Sequence, residues 1–286
     1  MRILLVGNLS DRKCGFQNFS YQTVHALQRA GHEVTAHDGT YSVVYARQQT
    51  GVPLVESFLP KDAASYDVIH VIWHPATMNH YSGCDFPAGP VLSVWNGCPA
   101  AWCPFTDRMH IRWGVLGREV NHEQLFYPIP DWVEDLPEPS SEFTVGYSGV
   151  RGDGLGTLKA VCDVRGWGTN FSQPGTWLTQ EEEVRRLARS TVNVCWYGGE
   201  HDDRSGSAMV CLASKRPLLT NQVRMFIHLE PYPEDTYRSD DLEASLTTIH
   251  DDWQAGRPLK QPKQILQDLS WSSAAARLAS VWESRR

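Results

Sequence analysis

The sequence lacks the features that mark several large classes of protein. Across its 286 residues, no segment approaches the roughly 20 consecutive apolar residues that a membrane-spanning helix requires. The first residues, MRILLVGNLS, have neither the long apolar stretch nor the small-residue cleavage site of a signal peptide. These absences predict a soluble protein without integral membrane contact.

The seven cysteines form no recognisable framework. Their number is odd, and no two of them have the Cys-x-x-Cys spacing of zinc-binding or redox motifs. A disulfide-stabilised secreted domain is therefore not indicated, and we expect the protein in the reducing cytoplasm.

The chain also lacks an excess of positive charge. Its formal net charge is −7 and its isoelectric point is near 5.9. Such a balance disfavours a broad surface that neutralises nucleic-acid phosphates. A local basic cluster is nevertheless present, formed by Arg108, His110, Arg112 and Arg118. That cluster is equally typical of a solvated helix face.

What the sequence does contain is a repeated alternation of strands and helices. Residues 2–6 predict a strand, residues 17–30 a helix, and residues 32–36 a second strand. This βαβ order implies parallel strands joined by a right-handed crossover. Apolar runs at 66–73 and 90–95 predict two more strands, each followed by a polar or glycine-rich loop. In such sheets, ligands bind at the carboxyl ends of the strands.

A proline-rich, acidic segment, YPIPDWVEDLPEPSSE, interrupts this pattern as an interdomain linker would. After it, residues 143–147 predict a strand, followed by a glycine-rich loop and a helix at 157–164. A strand at 191–196, a helix at 205–215 and a strand at 217–220 come next. The final segment spaces four apolar residues on one helix face: Trp271, Ala275, Leu278 and Trp282.

Stretches along nearly the whole chain resemble the glycosyltransferases of family four. The first half carries the similarity in MRILLVGN, in the loop Cys14-Gly15-Phe16, in RAGHEV, in YDVIH and in YPIPDWV. The second half carries it in LASKRPLLT, which is similar to a donor-domain segment, and in LSWSSAAARLASVWE, which is similar to the closing helix. These segments occur in the order and spacing of the family.

The resemblance implies an α/β protein of the GT-B type, with two Rossmann-like doubly wound domains facing each other across a cleft. We place the N-terminal acceptor-side domain at residues 1–138 and the donor domain at residues 139–268. A closing helix at 269–286 would cross back and pack across both domains. The implied reaction moves a sugar from a nucleotide sugar, for which we expect a UDP-sugar, to a hydroxyl acceptor with retention of configuration.

The sequence departs from the family at two places near the donor. Aligning LASKRPLLT with its family segment puts Asp202 at the first of two glutamate positions and Val210 at the second. The family's arginine and lysine beside the diphosphate are represented by Arg151 alone, since Lys159 lies too far along its helix. The residue that binds the donor ribose is therefore open.

Two glycine- and serine-rich turns are candidates for binding the donor diphosphate. Arg151 follows a strand in a turn with Gly149, where a guanidinium and backbone N–H groups could hold phosphate oxygens. Ser205, Gly206 and Ser207 begin a helix beside Arg204 and offer further N–H groups. A surface turn and an ordinary helix cap are the alternative interpretations of these two segments.

The loop between these turns carries candidates for binding sugar or ribose hydroxyls. Glu200, Asp202 and Asp203 are carboxylates that accept hydrogen bonds strongly, and Tyr197 could stack on a base or a sugar. A solvated acidic loop is the alternative for the carboxylates. Trp196, one of eleven tryptophans, is assigned to core packing.

The first domain supplies acceptor-side candidates at the ends of its strands. His74 follows a strand and could act near its ordinary pKa, although a lone histidine is more often structural. Gly15 and Phe16 in the first loop would face the donor and the acceptor, and Asn96 ends another strand on the same rim. We assign catalytic roles to His74, Asp202 and Arg151.

We expect no cofactor; the nucleotide sugar is a co-substrate. We also expect no obligatory metal, because Asp202-Asp203 is not the metal-binding Asp-x-Asp motif. The acceptor is a glycan, a small molecule or a hydroxymethylated base of viral DNA, of which the net charge disfavours the last. The oligomeric state stays open.

Two alternatives to a glycosyltransferase are a catalytically degenerate nucleotide- or glycan-binding protein and a nucleotide-sugar epimerase. A dinucleotide oxidoreductase is disfavoured, because GNLSDRKCGF lacks Gly-x-Gly-x-x-Gly spacing.

Overall fold

The structure is a computed structural model that describes eleven parts of the chain: residues 1–7, 15–38, 59, 61–73, 86–96, 111–114, 123–124, 128–148, 154–172, 178–198 and 205–286. The chain divides into two compact units. One comprises Met1–Phe126 together with Trp271–Arg286, and the other comprises Tyr127–Ser270. The domain boundaries derived from the sequence, at residues 138 and 268, stay predictions.

The first unit contains a parallel sheet of six strands in the order β2-β1-β3-β4-β5-β6. Its strands are β1 (Arg2–Gly7), β2 (Glu33–Asp38), β3 (Val68–Trp73), β4 (Val91–Asn96), β5 (Ile111–Gly114) and β6 (Glu123–Gln124). Helix α1 (Gly15–Arg29) connects β1 to β2. The four strands predicted in this half are therefore present, and the βαβ opening is parallel as expected.

The end of β1 lies very close to α1. A Cβ atom built on Gly7 would lie only 2.6 Å from Ser20 Oγ. A side chain at this position would collide with the Ser20 side chain unless Ser20 or the helix shifted. The opening run RILLVG thus combines five buried residues with a close approach of strand and helix.

The last helix of the chain packs with this first unit. It is α7 (Trp271–Glu283), and its buried residues include Trp271, Leu278 and Trp282 from the predicted apolar face. Trp271 Nε1 donates a hydrogen bond of 2.7 Å to Gln22 Oε1 on α1. Packing of this helix across both domains stays a prediction.

A polar pair is buried inside the first unit. His70 Nδ1 on β3 lies 3.0 Å from Ser93 Oγ on β4, and the imidazole ring is 5.2 Å from the ring of Trp282. Burial lowers the pKa of His70 to about 3, and the hydrogen bond with Ser93 opposes this shift only in part. The imidazole is therefore neutral in the folded protein at ordinary pH.

The second unit contains a parallel sheet of five strands in the order β11-β10-β9-β7-β8. Its strands are β7 (Thr144–Tyr147), β8 (Gly168–Phe171), β9 (Val192–Cys195), β10 (Leu218–Thr220) and β11 (Tyr237–Arg238). Its helices are α2 (Leu155–Arg165), α3 (Gln180–Leu187), α4 (Gly206–Ala213), α5 (Leu242–Gln254) and α6 (Lys263–Asp268).

Apolar clusters lie on both faces of this second sheet. On one face Val192 and Val194 of β9 belong to a cluster with α2 and α5. On the other face Cys195 belongs to a cluster with α3, α4 and α6. Because successive strand residues point to opposite faces, helices cover both sides, which is the doubly wound arrangement predicted from the sequence. Within the described ranges, no helix is long and apolar enough to span a membrane.

Candidate active site

The carboxyl edge of the second sheet brings the ends of four strands together. Because the strands are parallel, Tyr147, Phe171, Cys195 and Thr220 all end at this edge. Ligands of doubly wound proteins bind at this edge of the sheet. The polar residues that follow the strand ends therefore form the candidate site.

Tyr197 lies two residues beyond β9 and is tied to its neighbours by hydrogen bonds of both its side chain and its backbone. Its hydroxyl is 3.0 Å from Ser205 Oγ. Its backbone N–H donates to Asn221 Oδ1 at 3.3 Å, and Asn221 Nδ2 donates to its carbonyl at 2.8 Å. Asn221 follows β10, so its side chain holds the ends of two adjacent strands in register.

The Tyr197 side chain is largely buried, with 9% of its surface exposed, and its ring packs 5.5 Å from Phe226. Burial, with the nearby Cys195, raises the pKa of Tyr197 to about 12, while hydrogen bonds with Ser205 and Ser207 oppose the shift. The hydroxyl is therefore neutral and serves as a hydrogen-bonding group. Its role in stacking on a base or a sugar stays a prediction.

Ser205 is the N-cap of α4. Its Oγ accepts a 3.1 Å hydrogen bond from the Ala208 N–H, and only 1% of the residue is exposed. Gly206 and Ser207 form the first turn, where backbone N–H groups have no partner within the helix. The helix dipole adds partial positive charge at this end. The arrangement suits an anion next to Gly206 and Ser207, with Ser205 holding the turn in place.

A second helix, α2, begins at the same edge. Its N-cap is Gly154, which has no side chain to cap the first turn. A Cβ atom built on Gly154 would lie 2.7 Å from both Cβ and the carbonyl oxygen of Trp196. The start of α2 therefore fits directly against the residue that follows β9. Trp196 itself is partly buried and packs against the core, as predicted.

An arginine that the sequence analysis did not single out fastens the ends of β7 and β8 to α3. Arg186 donates to the Tyr147 carbonyl at 2.8 Å, to Ser172 Oγ at 2.9 Å and to the Asn170 carbonyl. It also pairs with Glu183 at 2.6 Å, with only 15% and 14% of the two side chains exposed. In the sequence, the capping box Thr179-Gln180-Glu181-Glu182 marks the start of α3. Glu183 and Arg186, three residues apart, then lie on the same face of this helix.

Glu183 connects this cluster to the loop after β7. Burial raises its pKa, but hydrogen bonds and charge from Arg186, together with hydrogen bonds from Ser148 and Ser172, hold the pKa below its ordinary value. The carboxylate is thus charged at neutral pH. Ser148 is the last described residue before the predicted phosphate loop, so Arg186 and Glu183 fix the point where that loop begins.

Several predicted site residues lie outside the described residues: His74, Gly149, Arg151, Glu200, Asp202 and Arg204. Gly15 begins α1, and Asn96 ends β4 at the carboxyl edge of the first sheet, as expected for the acceptor side. The side chains of Phe16 and Asn96 also lie outside the description. The roles of all these residues stay predictions.

The two departures from the family have clear structural positions. Val210 is partly buried on α4 and packs against the core of the second unit. Lys159 is exposed on α2. Among the described residues, no group of three or more histidine, cysteine or acidic side chains could hold a metal ion. Metal independence stays a prediction.

Comparisons with known proteins give a result for structure but none for sequence. No protein-family model and no curated protein matches the sequence. Solved structures, by contrast, match over nearly the whole chain.

One matching structure is a sucrose-phosphate synthase from Thermosynechococcus elongatus, with a TM-score of 0.66 and 13% identity over 99% of this chain and 98% of that one. Another is a glycosyltransferase from Rickettsia africae, with a TM-score of 0.64 and 9% identity over 99% and 98% of the two chains. A third is HepE from Anabaena in complex with UDP and glucose, with a TM-score of 0.62 and 9% identity over 99% and 100%. The chain therefore has the α/β fold of the GT-B glycosyltransferases, with two parallel sheets.

Proposed function

We propose that the protein is a glycosyltransferase that moves a sugar from a nucleoside diphosphate sugar, most simply a UDP-sugar, to a hydroxyl acceptor. One observation carries the proposal: the N-termini of α2 and α4 both flank the residues that follow β9. Gly154 contacts Trp196, and Ser205 contacts Tyr197. Two helix N-termini at the carboxyl edge of a parallel sheet, one of them without a side-chain cap, suit a diphosphate.

The chemistry requires stabilisation of the charge that develops on the leaving diphosphate. Backbone N–H groups at Gly206 and Ser207 and in the first turn of α2 are preorganised donors for that charge. In this proposal, Arg151 adds a guanidinium from the loop between β7 and α2. Asp202 and Glu200 accept hydrogen bonds from hydroxyl groups of the nucleotide sugar. His74 and Asn96, which belong to the first unit, contact the acceptor.

The finer features belong to the same proposal. Transfer proceeds with retention and without an obligatory metal. The complex of the structurally similar HepE with UDP and glucose supports UDP as the nucleotide. The acceptor is a glycan or a small molecule carrying a free hydroxyl, and hydroxymethylated DNA is the third candidate.

The test is a transfer assay with UDP-glucose, UDP-galactose, UDP-N-acetylglucosamine and GDP-mannose, each with the three acceptor classes. Release of one nucleoside diphosphate that depends on an acceptor supports the proposal. The anomeric proton coupling of the product reads out retention, and added EDTA tests metal independence. Absence of acceptor-dependent release with every donor contradicts the proposal.

Arg151→Ala is the informative variant, with Lys159→Ala as its matched control. Both remove one positive charge near α2, but Lys159 is exposed on the helix. Loss of a group that stabilises transition-state charge typically lowers kcat about 10²–10³-fold. We expect that loss in the Arg151 variant and wild-type turnover in the Lys159 variant.

One observation favours a second candidate, nucleotide binding without transfer. Val210 occupies the position of the family's second glutamate and packs into the core. The carboxylate is missing and the side chain there serves the fold. Saturable nucleotide binding together with no turnover of any donor would support this candidate over the transferase.

A further inference from the structure

A cavity of about 620 Å³ opens at the amino edge of the second sheet, opposite the candidate active site. It lies where β7 and β8 begin, beside Phe143 and Gly168, and it reaches the C-terminal half of α5. Its volume lies within the ~300–1,000 Å³ of small-molecule sites. Nothing in the proposed transfer reaction uses this cavity.

Aromatic side chains form the floor of the cavity. The Trp167 and His250 rings stack with centroids 5.3 Å apart and an interplanar angle of 30°. Phe143 lies beneath them, 5.1 Å from Trp167 and 5.5 Å from Trp253. Phe143 is buried, whereas Trp167 and Trp253 are each only partly buried. Two indoles therefore present apolar surface to the cavity on a rigid support.

The polar rim of the cavity is negative. Glu142 and Asp251 line it and are exposed. The C-terminal ends of α2 and α5 also lie at the cavity, and the helix dipole makes such ends partially negative. Arg165 also lines it, but its guanidinium pairs with Glu243 at 2.8 Å. This balance disfavours phosphate-bearing ligands.

We propose that this cavity is an auxiliary saccharide site, which binds a neutral sugar unit of a glycan. The apolar face of a pyranose ring would lie on the indole of Trp167 or Trp253. Its hydroxyls would donate to the Glu142 and Asp251 carboxylates, which accept strongly and need no charged partner. A neutral ligand with many O–H donors and one apolar face matches both the floor and the rim.

The site is separate from the donor site. β7 has four residues between the two edges of the sheet, which corresponds to roughly 13 Å at ~3.3 Å per residue. Saccharide binding here therefore persists whether or not the protein transfers sugars. Failure of one proposal leaves the other standing.

The test uses four neutral pentasaccharides on the full chain: maltopentaose, cellopentaose, xylopentaose and mannopentaose. The indole N–H signals of Trp167 and Trp253, assigned by substitution, report binding in two-dimensional NMR titrations. We expect at least one pentasaccharide to shift these two signals in a saturable way, with the Trp196 signal unchanged. Titration with UDP present and absent separates this site from the donor site.

Asp251→Asn and Glu142→Gln each remove one rim charge; because Asp251 Oδ1 lies 3.2 Å from His250 Nδ1 of the aromatic floor, Glu142→Gln tests the rim alone. Each should weaken saccharide binding by roughly ten-fold or more, the effect of losing about one hydrogen bond to a charged acceptor. Glu234→Gln, at an exposed position elsewhere on the same unit, is the matched control and should leave affinity unchanged. Trp167→Ala or Trp253→Ala, whichever removes the indole under the sugar, should abolish binding, with circular dichroism to show that both variants are folded.

Three results overturn the proposal. One is that no pentasaccharide shifts the Trp167 or Trp253 signal. Another is that binding occurs but is insensitive to both carboxylate substitutions, which places the sugar elsewhere. The last is that spermidine shifts the two indole signals at lower concentration than any sugar, which would make the cavity an organic-cation site.

Discussion

The Tyr197 hydroxyl lies 3.0 Å from Ser205 Oγ, and Ser205 Oγ also accepts a hydrogen bond of 3.1 Å from the Ala208 N–H. This chain of hydrogen bonds joins the segment after β9 to the first turn of α4. Because Tyr197 is also held by Asn221, the position of the helix N-terminus depends on the ends of two strands. Changes at any of these residues should affect stability and nucleotide binding together.

Ser205→Ala removes the cap of α4. Loss of an N-cap side chain costs about 1 kcal/mol of unfolding free energy. Asp241→Ala is the matched control, because Asp241 caps α5 through a 2.9 Å bond from the Ala244 N–H and follows the edge strand β11, two strands from β9. Urea unfolding should show a larger loss for Ser205→Ala, because the buried Tyr197 hydroxyl also loses a partner. Calorimetry should show weaker UDP binding only for Ser205→Ala. Equal UDP affinities in the two variants would show that the N-terminus of α4 does not contribute to the donor site.

Gly154 and Gly156 form a pair in which the same substitution has opposite effects. A Cβ atom at residue 154 would lie 2.7 Å from Trp196, whereas one at residue 156 meets nothing within 4 Å. Gly154→Ala should therefore destabilise the protein by about 1–3 kcal/mol, as overpacking does. Gly156→Ala, within α2, should stabilise it by roughly 0.5–1 kcal/mol. Thermal unfolding measures both, and a neutral Gly154→Ala would show that the contact with Trp196 is loose.

Arg186→Ala should be far more harmful than Arg185→Ala. The first leaves a largely buried Glu183 without its cation, with only hydroxyl donors remaining, and removes a donor from the Tyr147 and Asn170 carbonyls, which costs about 3 kcal/mol. Arg185 pairs with Glu181 at the surface and donates to the Asp135 carbonyl, so its loss should cost less than about 1 kcal/mol. Denaturant unfolding compares the two. Similar losses of unfolding free energy in the two variants would show that Arg186 and Glu183 do not hold the ends of β7 and β8.

The buried His70 predicts a loss of stability in mild acid. Its pKa is about 3 in the folded chain and near 6.5 when unfolded, so below pH 6.5 the unfolded state binds the extra proton. Stability should therefore fall as pH drops, by about 2 kcal/mol between pH 6.5 and about pH 5, at 1.36 kcal/mol per pKa unit. Unfolding free energies measured across this range give the slope.

His70→Gln should reduce this slope, and His25→Gln, at an exposed position of α1, is the control. Burial and the charge of the N-terminus also lower the pKa of His32, so part of the slope should remain in the His70 variant. Glu183, whose pKa is held below the usual carboxyl value, acts only at lower pH. An unchanged slope in His70→Gln would contradict the buried neutral imidazole.

The sequence was sufficient to predict much of the fold because its strands are strongly patterned. Clear patterns mark the run RILLVG of β1 and the apolar face of the last helix. Gly31, which has a φ of 84°, marks the end of α1. The sequence analysis missed α5, which follows the cap Asp241 but is only mildly amphipathic. It also missed the short helices α3 and α6 and the short strands β5, β6, β8 and β11. Strands of two to four residues have too few positions to show alternation.

Only part of the candidate site could be predicted from the sequence, because several of its contacts join distant segments. Ser205 could be identified as a cap from its neighbours. The Arg186 bonds to Tyr147 and Asn170 span 39 and 16 residues, and no local pattern signals them. The same holds for the aromatic floor, where Phe143, Trp167 and Trp253 meet only in the folded chain.

The central claim is that the carboxyl edge of the second sheet binds a nucleotide. Thermal unfolding with UDP, GDP, ADP and CMP tests it most directly, because a ligand that binds only the folded state at about 100 times its Kd adds roughly 2.7 kcal/mol of stability. We predict a shift with one nucleotide, UDP, that is lost in Arg151→Ala and kept in Lys159→Ala. No shift with any of the four, or a shift that Arg151→Ala leaves intact, would contradict the account.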